Sequence, residues 1–190
     1  MGASDKGKGQ IKGTLLIDYI RLIRSTKNID WERHLTPEDW ELVNSRILSS
    51  NWYSSDAWQR IGRTLYQVGA KRDLNLIRTF GPMIMKGLLD VYKNILCQGD
   101  PKESIKKFEV LRRNFIRNVD ADLKVSEMNE NRVKVSLNVT DHDREIGDPE
   151  AFMYGVAGCL DELIKRSGGK NPTGDVVEVE NGYEIELIWE

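Results

Sequence analysis

The densest group of side chains able to do chemistry in these 190 residues is Asp141-His142-Asp143-Arg144-Glu145. Clustered carboxylates beside an imidazole are metal-ligand types, but the spacing does not follow a calcium loop. The glycine falls at Gly147, and Phe152 stands where a bidentate Glu would be needed. The only other histidine is His34, and Cys97 and Cys159 are far apart, so no zinc signature forms. A solvated connection is the expected role. Gly2, Gly7 and Lys8 approach a phosphate loop, yet Gly9 replaces the Ser or Thr that would hold magnesium and no strand precedes it. There is no Gly-x-Ser-x-Gly elbow, and both cysteines sit in apolar helical patterns, where a reduced, buried thiol is ordinary. Glu178, Glu180, Glu184 and Glu186 alternate along what should be the wet face of a hairpin. No catalytic residue, metal or cofactor is expected, and the chain does not read as an enzyme.

What remains is apolar. Trp52, Tyr53, Trp58, Phe80, Met83, Met85, Tyr92 and Phe115 largely follow helical spacing, the usual mark of core. Met83 and Met85 differ in following Gly81-Pro82 inside a long helical pattern. Proline cannot donate to the carbonyl four residues back and clashes with it, so a kink or break is expected there. A broken helix flanked by flexible thioethers can line a cavity that adapts to a ligand. The expected site therefore has Met83, Met85 and Tyr92 in its wall, closed by Trp58 or Phe115. Arg112, Arg113 and Arg117 are basic but accompany no reader motif, so nucleic acid is not an expected partner.

The elements that must position these residues can be read from periodicity. Residues 1–12 have almost nothing to bury and read as a flexible tail. Helical patterns cover 13–25, the stretch from the Thr36-Pro37 start through Ile47, the stretch from Ser55 or Asp56 to Gly69, and about 72–96. A further helix follows Gly99-Asp100-Pro101, with Ile105, Phe108, Leu111, Phe115 and Val119 on one face. After Asp120 the period changes to two. A weak strand over 122–128 precedes Val133, Val135, Leu137 and Val139. A helix then runs from Asp148-Pro149 to Ser167, and two alternating runs flank Asn181-Gly182, a strong hairpin signal. The expected fold is α+β: one domain over 13–190, helical over 13–119 and β-β-α-β-β over 120–190. Its four strands form one antiparallel sheet with an apolar face packed on helices.

Composition narrows the class. The chain is 39% hydrophobic and 31% charged, with a net charge of -2. No run approaches the ~18 apolar residues of a membrane span, and no basic-then-apolar leader opens the chain, so a cytoplasmic location is expected. The net charge hides a polarity: residues 1–118 carry 21 basic and 13 acidic side chains, and residues 119–190 carry 7 and 17.

Two sets of residues carry a resemblance. Lys12-Gly13-Thr14-Leu15-Leu16, then Ile47-Leu48-Ser49-Ser50-Asn51-Trp52-Tyr53, then Gly81 and Gly87-Leu88-Leu89-Asp90-Val91-Tyr92 resemble an uncharacterised myxobacterial paralogous family. Residues 105–190 offer an Arg-rich helix, a hairpin, Phe152, Gly155 and Gly158-Cys159-Leu160 on a helix, and a closing hairpin. That order resembles the 4-vinyl-reductase-type ligand-binding domains, relatives of haem-NO-binding (H-NOX) sensors and of vesicle-tethering TRAPP subunits. The resemblance implies an H-NOX-like fold with a cavity between helices and sheet. It does not carry the cofactor over. Residues 55–119 contain no histidine for the proximal position, the Tyr-x-Ser-x-Arg element is missing, and so is the four-cysteine cluster of some 4-vinyl-reductase-type proteins. The expected function is a non-haem sensory or regulatory module for a small hydrophobic ligand. The alternative is an interaction module, a homodimer or a protein-partner surface driven by the charge polarity.

Overall fold

A computed structural model describes residues 9–118 and 122–190. Its helices begin where the sequence supplies caps. α1 (Gly13–Ser25) leads to α2 (Pro37–Asn44), whose Thr36 hydroxyl accepts from the Asp39 N–H with Pro37 in the first turn. α3 (Ser55–Thr64) is capped by Ser54 and runs into a π-helical turn over Leu65–Gly69. α4 (Leu74–Val91), α5 (Pro101–Arg112) and α7 (Pro149–Arg166) start at Asp73, Asp100 and Asp148, each of which caps a backbone N–H of the first turn. The stretch expected as a solvated connection is instead helical: α6 (Asp141–Ile146) closes on a capping box between Thr140 and Asp143.

β4 (Asp122–Asn129), β5 (Arg132–Asn138), β6 (Val176–Val179) and β7 (Gly182–Ile188) form one antiparallel sheet in the order β4-β5-β7-β6. Tyr183, Ile185 and Leu187 face the core beside Val133, Val135 and Leu137. On the other face Lys134 pairs with Glu184 at 2.8 Å and Arg132 with Glu186 at 3.0 Å, which gives the glutamates their solvated role. The hairpin turn lies at Glu180-Asn181, one residue before the expected place. Gly182 already belongs to β7, at φ 150°, where a Cβ would fall 1.9 Å from the Leu137 carbonyl oxygen.

Three sequence expectations give way. Gln10–Lys12, expected as tail, form β1, which pairs with β2 (Trp52–Ser54) and β3 (Ile116–Arg117) in a small second sheet. Residues 1–8 lie outside the described residues. The fifth helix ends at Arg112 rather than near Val119, because Ile116 and Arg117 find a strand partner in β1; Val119 itself lies outside the described residues. Finally, α4 runs on through Pro82. The carbonyl that the proline cannot reach, that of Arg78, lies against Gly158 of α7, where a Cβ would approach it to 1.9 Å. The absent donor is accommodated by close helix packing rather than by a break.

Two hydrophobic cores result. One gathers α1, Trp31, Leu35, Val43, Ile61 and Leu65 around Ile11. The other packs α7 and the end of α4 on the four-stranded sheet. No helix among the described residues is long and apolar enough to cross a membrane.

Candidate functional site, a cavity where the two cores meet

The cavity, about 100 Å³, lies between α3, α4, α7 and the sheet. α3 contributes Trp58 and Gly62, and the π-helical turn that continues it contributes Leu65; α4 contributes Ile77, Phe80 and Ile84. Leu137 and Val139 line it from β5 and the residue after it, and Ala151, Phe152 and Gly155 from α7. Helical spacing explains the wall. Trp58, Gly62 and Leu65, like Ile77, Phe80 and Ile84, recur every three or four residues and share one helix face. Three lining positions, Gly62, Gly147 and Gly155, carry no side chain, and of these Gly155 leaves space unfilled. A Cβ on Gly155 would meet only Ile77 Cγ2, at 3.9 Å.

Polar groups ring this space and are engaged with one another. Asp143 is buried, accepts from the Thr140 N–H and hydroxyl at 3.0 and 2.6 Å, and takes a third bond from Gln59 Nε2 at 3.1 Å. Arg63 donates to the Glu145 carbonyl at 2.7 Å, and Arg112 to the Leu123 carbonyl. Asp148 caps α7. The exception is Trp58. Its ring stacks on Tyr19 with centroids 6.1 Å apart and meets Phe152 edge-on at 5.6 Å, yet its Nε1 is buried and has no hydrogen-bond partner among the described residues. Leaving such a donor unpaired costs about 1–3 kcal/mol.

Burial raises the proton affinity of three groups nearby, Tyr19, Cys159 and Asp18. Burial pushes the Tyr19 hydroxyl far above its ordinary value, and the neighbouring Cys159 adds to the effect. Burial likewise pushes the Cys159 thiol up to about 12, helped by Asp161 and Asp18. Asp18, one position before Tyr19, is raised by burial against the pull of Arg21 and Lys86. No thiolate nucleophile or phenolate base exists here near neutral pH. No group of three or more His, Cys, Asp or Glu among the described residues could hold a metal ion.

Of the five residues expected to form the site, Trp58 lines this cavity and the other four do not. Met83 is 38% exposed on the outer face of α4, whereas Met85 is fully buried in the sheet-side core. Tyr92 and Phe115 pack on each other at 4.9 Å. With α4 unbroken, successive residues diverge by about 100°, so Met83 and Met85 cannot share a wall. Phe80, Phe152, Gly155 and Tyr19 were missed as lining. The available signal was Gly155, a glycine inside a helix whose conformation does not require one. A more open groove of about 390 Å³ beside α1 is lined by Ile17, Ile20, Arg24 and Ile47, and there Arg24 is tied to the Val43 and Ser45 carbonyls.

No protein-family model matches the chain, and no curated protein does. Solved structures do. The Fe(II) unliganded H-NOX protein from K. algicida superposes with a TM-score of 0.63 at 12% identity, covering 95% of this chain and 97% of its own. A Cs H-NOX mutant bearing 4-cyano-L-phenylalanine gives 0.62 at 11%, over 95% and 97%. A third, solved to probe heme distortion in the H-NOX family, gives 0.61 at 12%, over 95% of both chains. The chain has the H-NOX-like α+β fold.

Haem does not fit the residues present. It needs an axial donor, and neither histidine lines the cavity: His34 is exposed, and His142, 57% exposed, faces Asp56 at 3.4 Å. Tyr19 lines the cavity but is held neutral by burial, and the lining carboxylates Asp143 and Asp148 are engaged at the caps of their helices. A space of 100 Å³ is also well below the roughly 300–1,000 Å³ typical of sites for larger ligands.

Proposed function

We propose that this protein is a non-haem sensory or regulatory module that binds a small, mainly apolar molecule in the cavity between helices and sheet, without chemistry. The observation that carries this reading is the cavity itself: apolar walls from both cores, kept open by a helical glycine, in a fold shared with H-NOX proteins. Engaged carboxylates and protonated Tyr19 and Cys159 support binding without catalysis. The motifs at 12–16, 47–53 and 87–92 support a place in the myxobacterial paralogous family they resemble. Xenon is a suitable probe, since it enters dry apolar cavities and is smaller than benzene, which needs more than the roughly 100 Å³ present here. On adding xenon, the amide signals of Trp58, Phe80, Phe152 and Leu137 should shift in the wild type and stay still in Gly155→Leu, whose side chain occupies the space. Unmoved wild-type signals would retire the cavity reading.

The alternative is a protein-interaction module with no ligand. It draws on the charge polarity and on Val91 and Val110, which are 58% and 68% exposed on α4 and α5. A dimer mass in native mass spectrometry, lost in Val110→Lys, would favour it.

A further inference from the structure

We propose that the groove beside α1 is a binding site for a free amphipathic carboxylate, a small molecule with one anionic head and an alkyl tail. The groove shares no lining residue with the cavity, so the two readings stand or fall separately. Ile17, Ile20, Arg21 and Arg24 recur at i, i+3, i+4 and i+7 and form one face of α1. The facing wall is the segment from Asn44 to Ile47 that follows α2, and hydrogen bonds fix its direction. Arg24 donates to the Val43 and Ser45 carbonyls, whereas the Thr14 and Gly13 N–H groups reach the Ser49 and Asn51 carbonyls at 3.3 and 2.9 Å. The segment therefore runs antiparallel to α1. Ser45 and Arg46 lie toward the Arg24 end, and Ile47 follows toward the Ile17 end. One end of the groove is cationic and the other apolar.

Charge and shape together select the occupant. The groove, about 390 Å³, falls within the roughly 300–1,000 Å³ typical of small-molecule sites, and the step from Ile17 to Arg24 gives it a length of about 10 Å. Three arginines line it, and no Asp or Glu does. On the outer face of the large sheet the cations meet carboxylates, Lys134 with Glu184 and Arg132 with Glu186. Arg46 has no hydrogen bond or ion pair among the described residues, and Arg21 uses Nη1 alone, toward Asp18 at 3.2 Å. Arg24 is committed to the end of α2 and holds the two walls together. Arg46 and Arg21 thus keep donors for an anion, in the planar fork that suits a carboxylate. The isoleucines beside them shelter an alkyl chain. An anion without a tail would leave the isoleucines wet, and a hydrocarbon would leave the guanidinium groups unmatched.

Sodium octanoate below its micellar concentration and octan-1-ol share a chain and differ in charge, and both can be titrated into the full ¹⁵N-labelled protein. Octanoate should shift the amide signals of Arg21, Arg46 and Ile47 saturably and leave those of Phe80 and Phe152 still. Octan-1-ol should move the same signals with weaker affinity, and acetate, which has the head without the tail, should not saturate them. Arg46→Gln should weaken octanoate binding by roughly three- to fivefold and octan-1-ol binding by less than about twofold, with Arg46→Lys close to wild type. Arg46 is exposed and partnerless, so neither variant threatens folding. Equal binding of octanoate and octan-1-ol, equal effects of Arg46→Gln on both, or octanoate shifts found only away from the groove would overturn the site. So would binding to phosphatidylglycerol vesicles with no response to free octanoate, which would make this face a membrane surface instead. None of these outcomes bears on the xenon test of the cavity.

Discussion

Gly155 and Gly158 lie three residues apart on α7, in opposite packing environments. At Gly158 a Cβ would fall 1.9 Å from the Arg78 carbonyl oxygen, and across the crossing a Cβ on Gly81 would fall 2.1 Å from the Gly158 carbonyl carbon. The two helices touch backbone to backbone there. The crossing is pinned by Arg78 to Asp161 at 2.7 and 3.1 Å and by the Cys159 thiol, which donates to the Gly81 carbonyl at 3.6 Å. Gly155 faces open space. The same residue type closes one interface and opens another, because a missing side chain matters only relative to the distance between backbones. Where α4 and α7 converge, glycine permits close packing; where α3 and α4 stand away from α7, it leaves volume unfilled.

The sharpest way to break this contrast is Gly158→Ala. The methyl group must displace the α4 backbone, so the variant should lose about 3 kcal/mol or more in urea unfolding, at the upper end of overpacking costs. A loss below about 1 kcal/mol would mean the crossing has slack. Next in size is the pH dependence of the closed side. The folded chain keeps a thiol proton on Cys159 up to about pH 12, whereas the unfolded chain releases it near 9. Its contribution is therefore whole below pH 9 and fades between 9 and 12, by about 1.4 kcal/mol per unit. Tyr19 acts in the same direction above pH 10. Urea midpoints at pH 8 and pH 10 should fall less in Cys159→Ala than in the wild type, by on the order of 1 kcal/mol.

Gly155→Ala should go the other way. It removes a glycine from a helix interior without a clash and should gain up to about 1 kcal/mol. A destabilised variant would show that the space at Gly155 is not free. The smallest effect is expected at Met83→Trp. Were Met83 in a packed wall, the larger side chain would cost about 1–3 kcal/mol; on the exposed face of α4 it should change stability by less than about 0.5 kcal/mol.

Much of the secondary structure was legible because local physics sets it. Thr36-Pro37 and Asp148-Pro149 start helices through their own caps, and the alternation of Tyr183, Ile185, Leu187 and Trp189 chose the buried face of β7 before any partner strand was known. The same local rules hid α6, since Thr140 and Asp143 make a capping box from residues that also read as a polar connection. They also hid β1 and β3, which are too short to show a period and exist only because they pair.

The candidate site divides along the same line. The sequence by itself determined which residues are apolar, which helices carry them, that Trp58 faces inward, and that histidine is missing from the central helices. Only the tertiary structure decided which apolar residues meet across a gap. Pro82 was expected to open one, but its free carbonyl settles against Gly158 and α4 stays whole, so Met83 turns outward and Met85 inward. The open space appears instead opposite Gly155, where helix separation, a quantity summed over many distant contacts, exceeds what the side chains fill. Periodicity assigns a residue to a face; it carries no information about the distance to the neighbouring element, and that distance separates a packed core from a cavity.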